Sequence, residues 1–221
     1  GEPSYHQVPS ITYLGGTAAL RTQFEENVAT KKEYCEKLKE NPDLQNMVKC
    51  PWYWFYSPMS GFSTREQVKA RMDEVLIFNE GWAAEGRPIM KPRPGWYSHT
   101  PNSAFSVKIE NVSVDVKHVV ILSMKSYSPK WVGSKLGIST TVVKSATIPD
   151  SMLNRTSAVD WKEESIFYID GYHDLKTSVH FPFTIPIQGG GAKAGESVIV
   201  DAKLVGGQEF KVAGIAVCTQ R

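Results

Sequence analysis

The spacing of hydrophobic and polar residues changes near position 100. In residues 17–40 the hydrophobic residues recur every three or four positions, which is the period of one helix face, and Asn41-Pro42 ends the pattern. A second helix is predicted from the capping box of Ser63 and Glu66, because an apolar stripe follows it at helical spacing. The stripe consists of Val68, Met72, Val75 and Leu76, and residues 79–81 end it.

After position 100 the hydrophobic residues alternate with polar ones, which is the period of β-strands. Seven strands are predicted, at 104–109, 116–124, 136–143, 165–172, 179–187, 197–204 and 210–218. Pro182 and Pro186 place the fifth of these at a sheet edge, because proline has no N–H to donate to a neighbouring strand. Gly206-Gly207 predicts a hairpin turn between the last two. Many short strands with turn residues between them are typical of an antiparallel sandwich or jelly roll.

A stiff connection separates the two patterns. Residues 86–101 contain four prolines and two glycines. We therefore predict an α+β fold, in which a helical N-terminal segment, residues 1–95, packs on a C-terminal antiparallel β-sandwich of jelly-roll type, residues 96–221.

Composition narrows the class of partner. The chain has 221 residues, of which 41% are hydrophobic and 22% charged, and its net charge is +2. So small a charge, spread over both halves of the chain, argues against a nucleic-acid partner. No run of about 18 apolar residues predicts a membrane span. The composition leaves the oligomeric state open.

The cysteines and two glycosylation sequons favour a secretory route. Cys35 and Cys50 are predicted to form a disulfide, and the alternative is three free thiols, with Cys218, in a cytosolic protein. Asn111 and Asn154 each begin an N-x-S/T sequon and are the predicted glycosylation sites. We expect a secreted or extracellular glycoprotein, and the polar start of the chain predicts a mature or trimmed form.

Five consecutive aromatic residues, 52–56, stand just after Cys50. Alternation in a strand would turn Trp52 and Trp54 to one side and Tyr53 to the other. We expect most of the run to fill the joint between the helical segment and the sandwich, with one ring exposed.

Two further aromatic clusters are the predicted ligand-binding residues. Trp96 and Tyr97 stand at the entrance to the sandwich, and Tyr127, Lys130 and Trp131 lie in the loop after a buried strand. Flat aromatic faces stack on sugar rings, and lysines beside them could hold an acidic or sulfated sugar. The alternative is an amphipathic loop with Trp131 packed against the edge of the sandwich.

Two carboxylates around a glycine turn are the predicted metal ligands. Asp170 and Asp174 could hold calcium together with backbone carbonyls, although their spacing is not that of an EF-hand. The alternative is an aspartate turn bonded to its own backbone. No other cofactor is predicted.

No catalytic motif is present, because the chain lacks HExxH, CxxC, G-x-S-x-G and phosphate-loop patterns. The predicted function is therefore a non-catalytic extracellular or cell-surface recognition module that binds carbohydrate, with a glycan or a cell-surface protein as its partner. One alternative is a polysaccharide hydrolase or lyase that uses Asp170, His173 and Asp174. Another is a structural or assembly subunit.

Overall fold

The structure is a computed structural model that describes residues 49–55, 65–85, 95–153 and 165–219. The predicted helix at 17–40, Cys35, Ser63 and Asn154 lie outside these residues. Within them, no helix is both long and apolar enough to cross a membrane.

The described residues form eleven strands in two antiparallel sheets. In chain order the strands are β1 (Trp52–Phe55), β2 (Leu76–Glu80), β3 (Trp82–Glu85), β4 (Gly95–Ser98), β5 (Ala104–Ile109), β6 (His118–Lys125), β7 (Lys135–Val143), β8 (Phe167–Asp170), β9 (Val179–Pro186), β10 (Ser197–Gly206) and β11 (Phe210–Cys218). Sheet A has the order β3-β4-β11-β6-β9, with β1 also paired to β11, and sheet B has the order β2-β5-β10-β7-β8. Two α-helices, α1 (Arg65–Asp73) and α2 (Asp150–Leu153), and two short 3₁₀ helices, η1 (Pro129–Trp131) and η2 (Gln188–Gly190), lie between the strands.

The last eight strands follow the path of a jelly roll. Strands β4, β6, β9 and β11 lie in sheet A and strands β5, β7, β8 and β10 in sheet B, so most connections cross between the sheets. The orders β4-β11-β6-β9 and β5-β10-β7-β8 are those of the eight-stranded double-sheet roll. The described residues are thus mostly antiparallel β-sandwich, and this part of the predicted fold class is confirmed.

The two sheets pack face to face through large apolar side chains. Trp82 and Trp96 of sheet A contact the ring of Phe105 of sheet B edge-on, with ring centroids 4.9 and 6.3 Å apart. Each such side chain contributes roughly 1.5–3 kcal/mol when it leaves water. Val68 and Met72 of α1 are buried in the same cluster.

All seven strands predicted beyond residue 100 are present, and those at 104–109 and 210–218 agree residue for residue. Strand β9, which carries Pro182 and Pro186, lies at an edge of sheet A as predicted. The helical prediction for residues 75–78 is wrong, because α1 ends at Asp73 and β2 begins at Leu76. The run Leu-Ile-Phe pairs with β5 instead, and this ladder outweighs helical propensity.

The sandwich also takes strands from the segment that was predicted to be helical. Strands β1, β2 and β3 all precede residue 96 and belong to the two sheets. The two sheets therefore contain strands from both sides of the predicted boundary at 95/96.

The turn at Gly206-Gly207 is not a hairpin. Strand β10 pairs with β5 and β7 in sheet B, whereas β11 pairs in sheet A, so the turn carries the chain from one sheet to the other. Gly207 has φ +71°, and a Cβ there would lie 2.5 Å from the Ser134 backbone. Glycine is needed at this position because it allows both the positive φ and the close approach.

The disulfide joins Cys50 to Cys218, so the predicted Cys35–Cys50 bond is wrong. Strand β1 pairs antiparallel with β11, and this register brings the two cysteines to the same end of the ladder, with their Cα atoms 4.0 Å apart. The bond spans 168 residues and fastens the first described strand to the last.

Residues 52–55 of the aromatic run lie in β1, and the joint with the helical segment that they were predicted to fill lies outside the described residues. Trp54 is buried in the core cluster and Trp52 packs against it, while Tyr53 on the opposite face is 59% exposed. The guanidinium of Arg71 lies 5.5 Å from the centre of the Trp52 ring.

Replacing both bonded cysteines by alanine should lower the free energy of unfolding by about 5 kcal/mol, because the bond closes a very long loop in the unfolded chain. Urea denaturation of Cys50→Ala/Cys218→Ala measures this, and Cys35→Ala is the matched control that leaves the bond intact. A non-reduced digest in which Cys50 is linked to Cys35 instead of Cys218 would contradict the assignment.

Candidate functional site

A cavity of about 680 Å³ lies on the outer face of sheet A, beneath the loop between β6 and β7. Tyr97 and Glu85 reach it because they alternate with Trp96 and Ala84, which face the core. Lys211 comes to the same face by the same alternation with Val212. The β6–β7 loop contributes Tyr127, Lys130 and Trp131. The name central cavity is used below for this space.

Four of the five predicted ligand-binding residues line the central cavity, namely Tyr97, Tyr127, Lys130 and Trp131. Trp96 does not, since it is 3% exposed and packs on Phe105 in the core. Neighbouring residues of one strand face opposite sides of the sheet, so Trp96 and Tyr97 could not both reach one site. The prediction for Trp96 as a ligand-binding residue is therefore wrong.

The short helix η1 forms one wall of the central cavity. Its turn is closed by hydrogen bonds from the Trp131 N–H to the Ser128 carbonyl, 2.8 Å, and from the Ser134 N–H to the Trp131 carbonyl, 2.9 Å. The Trp131 ring is buried against Tyr97 and Phe210, with centroids 6.1 and 6.2 Å away. Trp131 thus supports the wall, while Tyr127 beside it is 46% exposed.

A buried carboxylate organises the polar side of the cavity. Glu209 Oε2 accepts a hydrogen bond from the Tyr97 hydroxyl at 2.9 Å. Glu209 Oε1 lies 3.1 Å from His99 Nδ1 and 3.4 Å from Lys130 Nζ. His99 Nε2 lies 3.0 Å from Glu85 Oε1, so the imidazole joins two carboxylates. The name carboxylate–imidazole network is used below for these five residues.

The network shifts the pKa values of two of its members. Burial by itself would raise the pKa of Glu209, but hydrogen bonds from Tyr97, His99 and Lys130 hold that pKa below its ordinary value. Burial would likewise lower the pKa of His99, and the hydrogen bonds and charges of Glu85 and Glu209 raise it above its ordinary value. Both groups are therefore charged together in mildly acidic solution.

Glu85 and Glu209 were not predicted as site residues from the sequence, and His99 was noted only as part of the segment 96–99, not as a ligand-binding residue. In chain order the three come from the end of β3, the residue after β4 and the residue before β11, and only the sheet order brings them together. His99 follows Trp96 and Tyr97 by a few residues, and this was the one local signal. Lys211 on the cavity floor was also missed; it is buried in register with Tyr97.

The predicted calcium ligands, Asp170 and Asp174, do not line the central cavity, and calcium binding by them stays a prediction. Asp170 ends β8 and Asp174 is exposed in the following loop, where the Leu175 N–H donates to His173 Nδ1 at 3.0 Å. In the described part of the chain, no group of three or more His, Cys, Asp or Glu side chains could hold a metal ion.

The sequon at Asn111 lies on an exposed turn after β5, where Asn111 has φ +51°. Its side chain is accessible, and glycosylation there stays a prediction. Asn154 lies outside the described residues.

Comparison with known proteins finds likeness among solved structures alone, since no protein-family model and no curated protein matches the chain. The C-terminal CBM6 of LamC, a marine laminarinase from Zobellia galactanivorans, is 10% identical with a TM-score of 0.37, over 66% of this chain and 94% of that one. The carbohydrate-binding module CBM6cm-2 of Cellvibrio mixtus lichenase 5A, solved with cellotriose, is 10% identical with a TM-score of 0.36, over 65% and 91%. A family 35 carbohydrate-binding module from an environmental isolate is 9% identical with a TM-score of 0.39, over 75% and 91%. At these values the fold and the ligand have to be argued from this chain's own strands and side chains.

Replacing His99 by glutamine should destabilise the protein more in acid than in alkali. A folded-state pKa raised above the unfolded value means that the contribution of His99 is complete below the unfolded pKa and is lost as the pH rises through the folded pKa. The difference in free energy of unfolding between wild type and His99→Gln should thus be larger at about pH 5.5 than at about pH 8.5. Urea denaturation at both pH values measures it.

Glu85→Gln is the companion variant for this experiment. It removes one of the two carboxylates that raise the pKa of His99. When Glu85→Gln is the starting protein, the effect of His99→Gln on the free energy of unfolding should therefore depend less on pH. A difference that is constant across the pH range would contradict the network.

Proposed function

We propose that this protein is a non-catalytic carbohydrate-binding module whose central cavity holds a sugar. The observation that supports this best is the convergence of two tyrosines and a paired set of polar side chains on one concave surface. The cavity volume is in the usual range for small-ligand sites.

The apolar side of the cavity suits the face of a sugar ring. Tyr127 is half-exposed at the rim and Tyr97 is partly exposed inside, where the His99 ring stacks on it at a centroid distance of 4.3 Å. Trp131 contacts the Tyr97 ring edge-on, and Phe210 in turn packs against Trp131. A ring held in this way loses little rotamer freedom when a ligand covers it, which favours binding.

The polar side suits hydroxyl groups. Glu85 is exposed on the cavity lining, so its carboxylate can accept hydrogen bonds from a ligand, whereas both oxygens of Glu209 are held by Tyr97, His99 and Lys130. Ser126 and Ser178 lie 3.0 Å apart through their Oγ atoms on the same lining and can donate or accept. Neighbouring donors and acceptors of this kind match the adjacent hydroxyls of a sugar.

The charges favour a neutral sugar over the acidic or sulfated one that the lysines suggested. Lys130 is paired with Glu209, and the two lysines that line the cavity, Lys130 and Lys211, are matched in number by Glu85 and Glu209. An acidic sugar would have to compete with Glu209 for Lys130. A neutral sugar needs no unpaired charge.

The polysaccharide hydrolase or lyase alternative has less support. Asp170, His173 and Asp174 do not line the central cavity. Glu209 is held by three donors, which leaves it poorly placed to move a proton.

An extracellular location is part of the proposal. The Cys50–Cys218 disulfide suits an oxidising compartment, and the exposed Asn111 sequon suits the secretory pathway.

Replacing Tyr127 by alanine should weaken binding of a neutral oligosaccharide about tenfold, because one stacking face is lost at a cost of about 1.4 kcal/mol. The first measurement is a glycan array that includes neutral and acidic chains, and calorimetry on the best neutral ligand follows. Tyr168→Ala is the matched control, since Tyr168 is 52% exposed on β8 and does not line the central cavity. Both variants should melt within a few degrees of wild type.

Equal loss of binding in Tyr127→Ala and Tyr168→Ala would place the sugar elsewhere. No binding of wild type to any glycan on the array would overturn the proposed function. A strict preference for acidic chains would overturn the neutral-sugar assignment while leaving carbohydrate binding in place.

A further inference from the structure

A second cavity, of about 720 Å³, lies at the other end of the sandwich from the β6–β7 loop. Strand β7 begins at Lys135 near that loop and runs away from it, and β6 begins at the far end. The second cavity is formed where β7 ends, at residues 140–144, where β6 begins, and along η2. It shares no lining residue with the central cavity.

The lining of the second cavity is rich in cations. Lys117, Lys144 and Lys193 line it, with Glu196 as the one carboxylate among the described lining residues. Lys193 forms an ion pair with Asp115, with Nζ 2.7 Å from the carboxylate. The Glu196 carboxylate also has a partner, since its Oε2 accepts a hydrogen bond from the Lys193 backbone N–H at 2.8 Å.

The other two lysines form no ion pair within the described part of the chain, although the charge of Lys117 also helps to lower the pKa of Asp115. Lys117 Nζ donates to the Gly190 carbonyl, a neutral acceptor. Lys144 is exposed at the end of β7. Neither lysine forms an ion pair with any residue in the ranges that the structure describes. The cavity thus keeps a local positive charge, in contrast to the paired charges of the central cavity.

A glycine segment gives this cavity a bare backbone wall. Gly189 and Gly190 have open space where a Cβ would stand, so no side chain would separate a ligand from the main chain there. At Gly191, which has φ +103°, a Cβ would lie 2.3 Å from the Val116 carbonyl oxygen, so only glycine allows the segment to lie against the start of β6. The Gln188 N–H donates to Thr140 Oγ1 at 3.1 Å and fixes the segment to β7.

We infer that the second cavity is an oxyanion site, which takes a sulfate or phosphate group between Lys117 and Lys144. Lysine ammonium groups act as point charges toward such groups, and the Thr141 hydroxyl on the same lining can add a hydrogen bond. The inference does not rest on the proposed sugar site, because the two cavities have separate linings. A sulfate ester of a polysaccharide and a phosphate monoester share this chemistry.

The test is titration of the full ¹⁵N-labelled chain with sodium sulfate at constant ionic strength, with chloride as the replaced anion. We expect saturable shifts of the amides of residues 189–191 and 141–144. Lys144→Gln and Lys117→Gln should each weaken sulfate binding roughly fivefold, since one nearby charge is lost. Lys176→Gln is the matched control, because Lys176 is an exposed lysine that lines neither cavity.

Three outcomes would overturn the inference: linear shifts that never saturate, shifts spread over the surface lysines, or equal weakening in Lys176→Gln. A phosphate titration and a comparison of dextran with dextran sulfate distinguish the two sources of the group. Tyr127→Ala should bind sulfate as wild type does, so failure of the sugar site and failure of the oxyanion site can be told apart.

Discussion

Strand β11 is the constraint on which both ends of sheet A depend. Strand β6 pairs along one side of it, and β4 and β1 share the other side. All nine of its residues are buried. Slipping its register by one residue would turn Lys211 from the polar central cavity into the apolar core between the sheets, and it would turn Val212 out of that core, so the slip is unfavourable. The disulfide at Cys218 fixes this register from the far end. The bond therefore helps to hold Glu209 and Lys211 where the central cavity needs them, although it lies at the opposite end of the strand.

The carboxylate–imidazole network depends on that placement. Removing Glu209 from water is costly unless donors replace the water, and the donors come from β4, from the residue after it and from η1. None of these segments is close to Glu209 in sequence. The network can therefore form only when the sheets have assembled, and once formed it ties the β6–β7 loop to sheet A. The wall that carries Tyr127 and Trp131 is thus positioned before any ligand arrives, which lowers the entropy cost of binding.

Features determined by neighbouring residues could be predicted from the sequence, whereas features determined by residues far apart in the chain could not. The strands after residue 100 were predicted because their alternation of apolar and polar residues is visible within each segment. Strand β9 was placed at an edge because Pro182 and Pro186 have no backbone N–H to donate to a neighbouring strand. Tyr127, Lys130 and Trp131 were found because they share one loop. The partner of Cys50 was missed because it lies 168 residues away, and Glu209 was missed because its donors meet it only in the folded sheet. Trp96 could have been corrected from the sequence itself, since the alternation that turns Tyr97 outward turns its neighbour inward.

The two cavities stand about 24 Å apart along β6, since Met124 lines the first and Lys117 the second, and each of the seven residues between these positions adds about 3.4 Å. Their charges differ: two carboxylates match two lysines in the first, beside His99, while three lysines outnumber the one carboxylate in the lining of the second. A short sugar cannot reach both, because its length is a fraction of that span. A long polymer that carries both neutral and sulfated units could occupy both at once, and the second contact would then form at the high effective concentration set by the first. The affinity for such a polymer would rise with chain length, whereas the affinity for a neutral oligosaccharide would level off once the central cavity is filled.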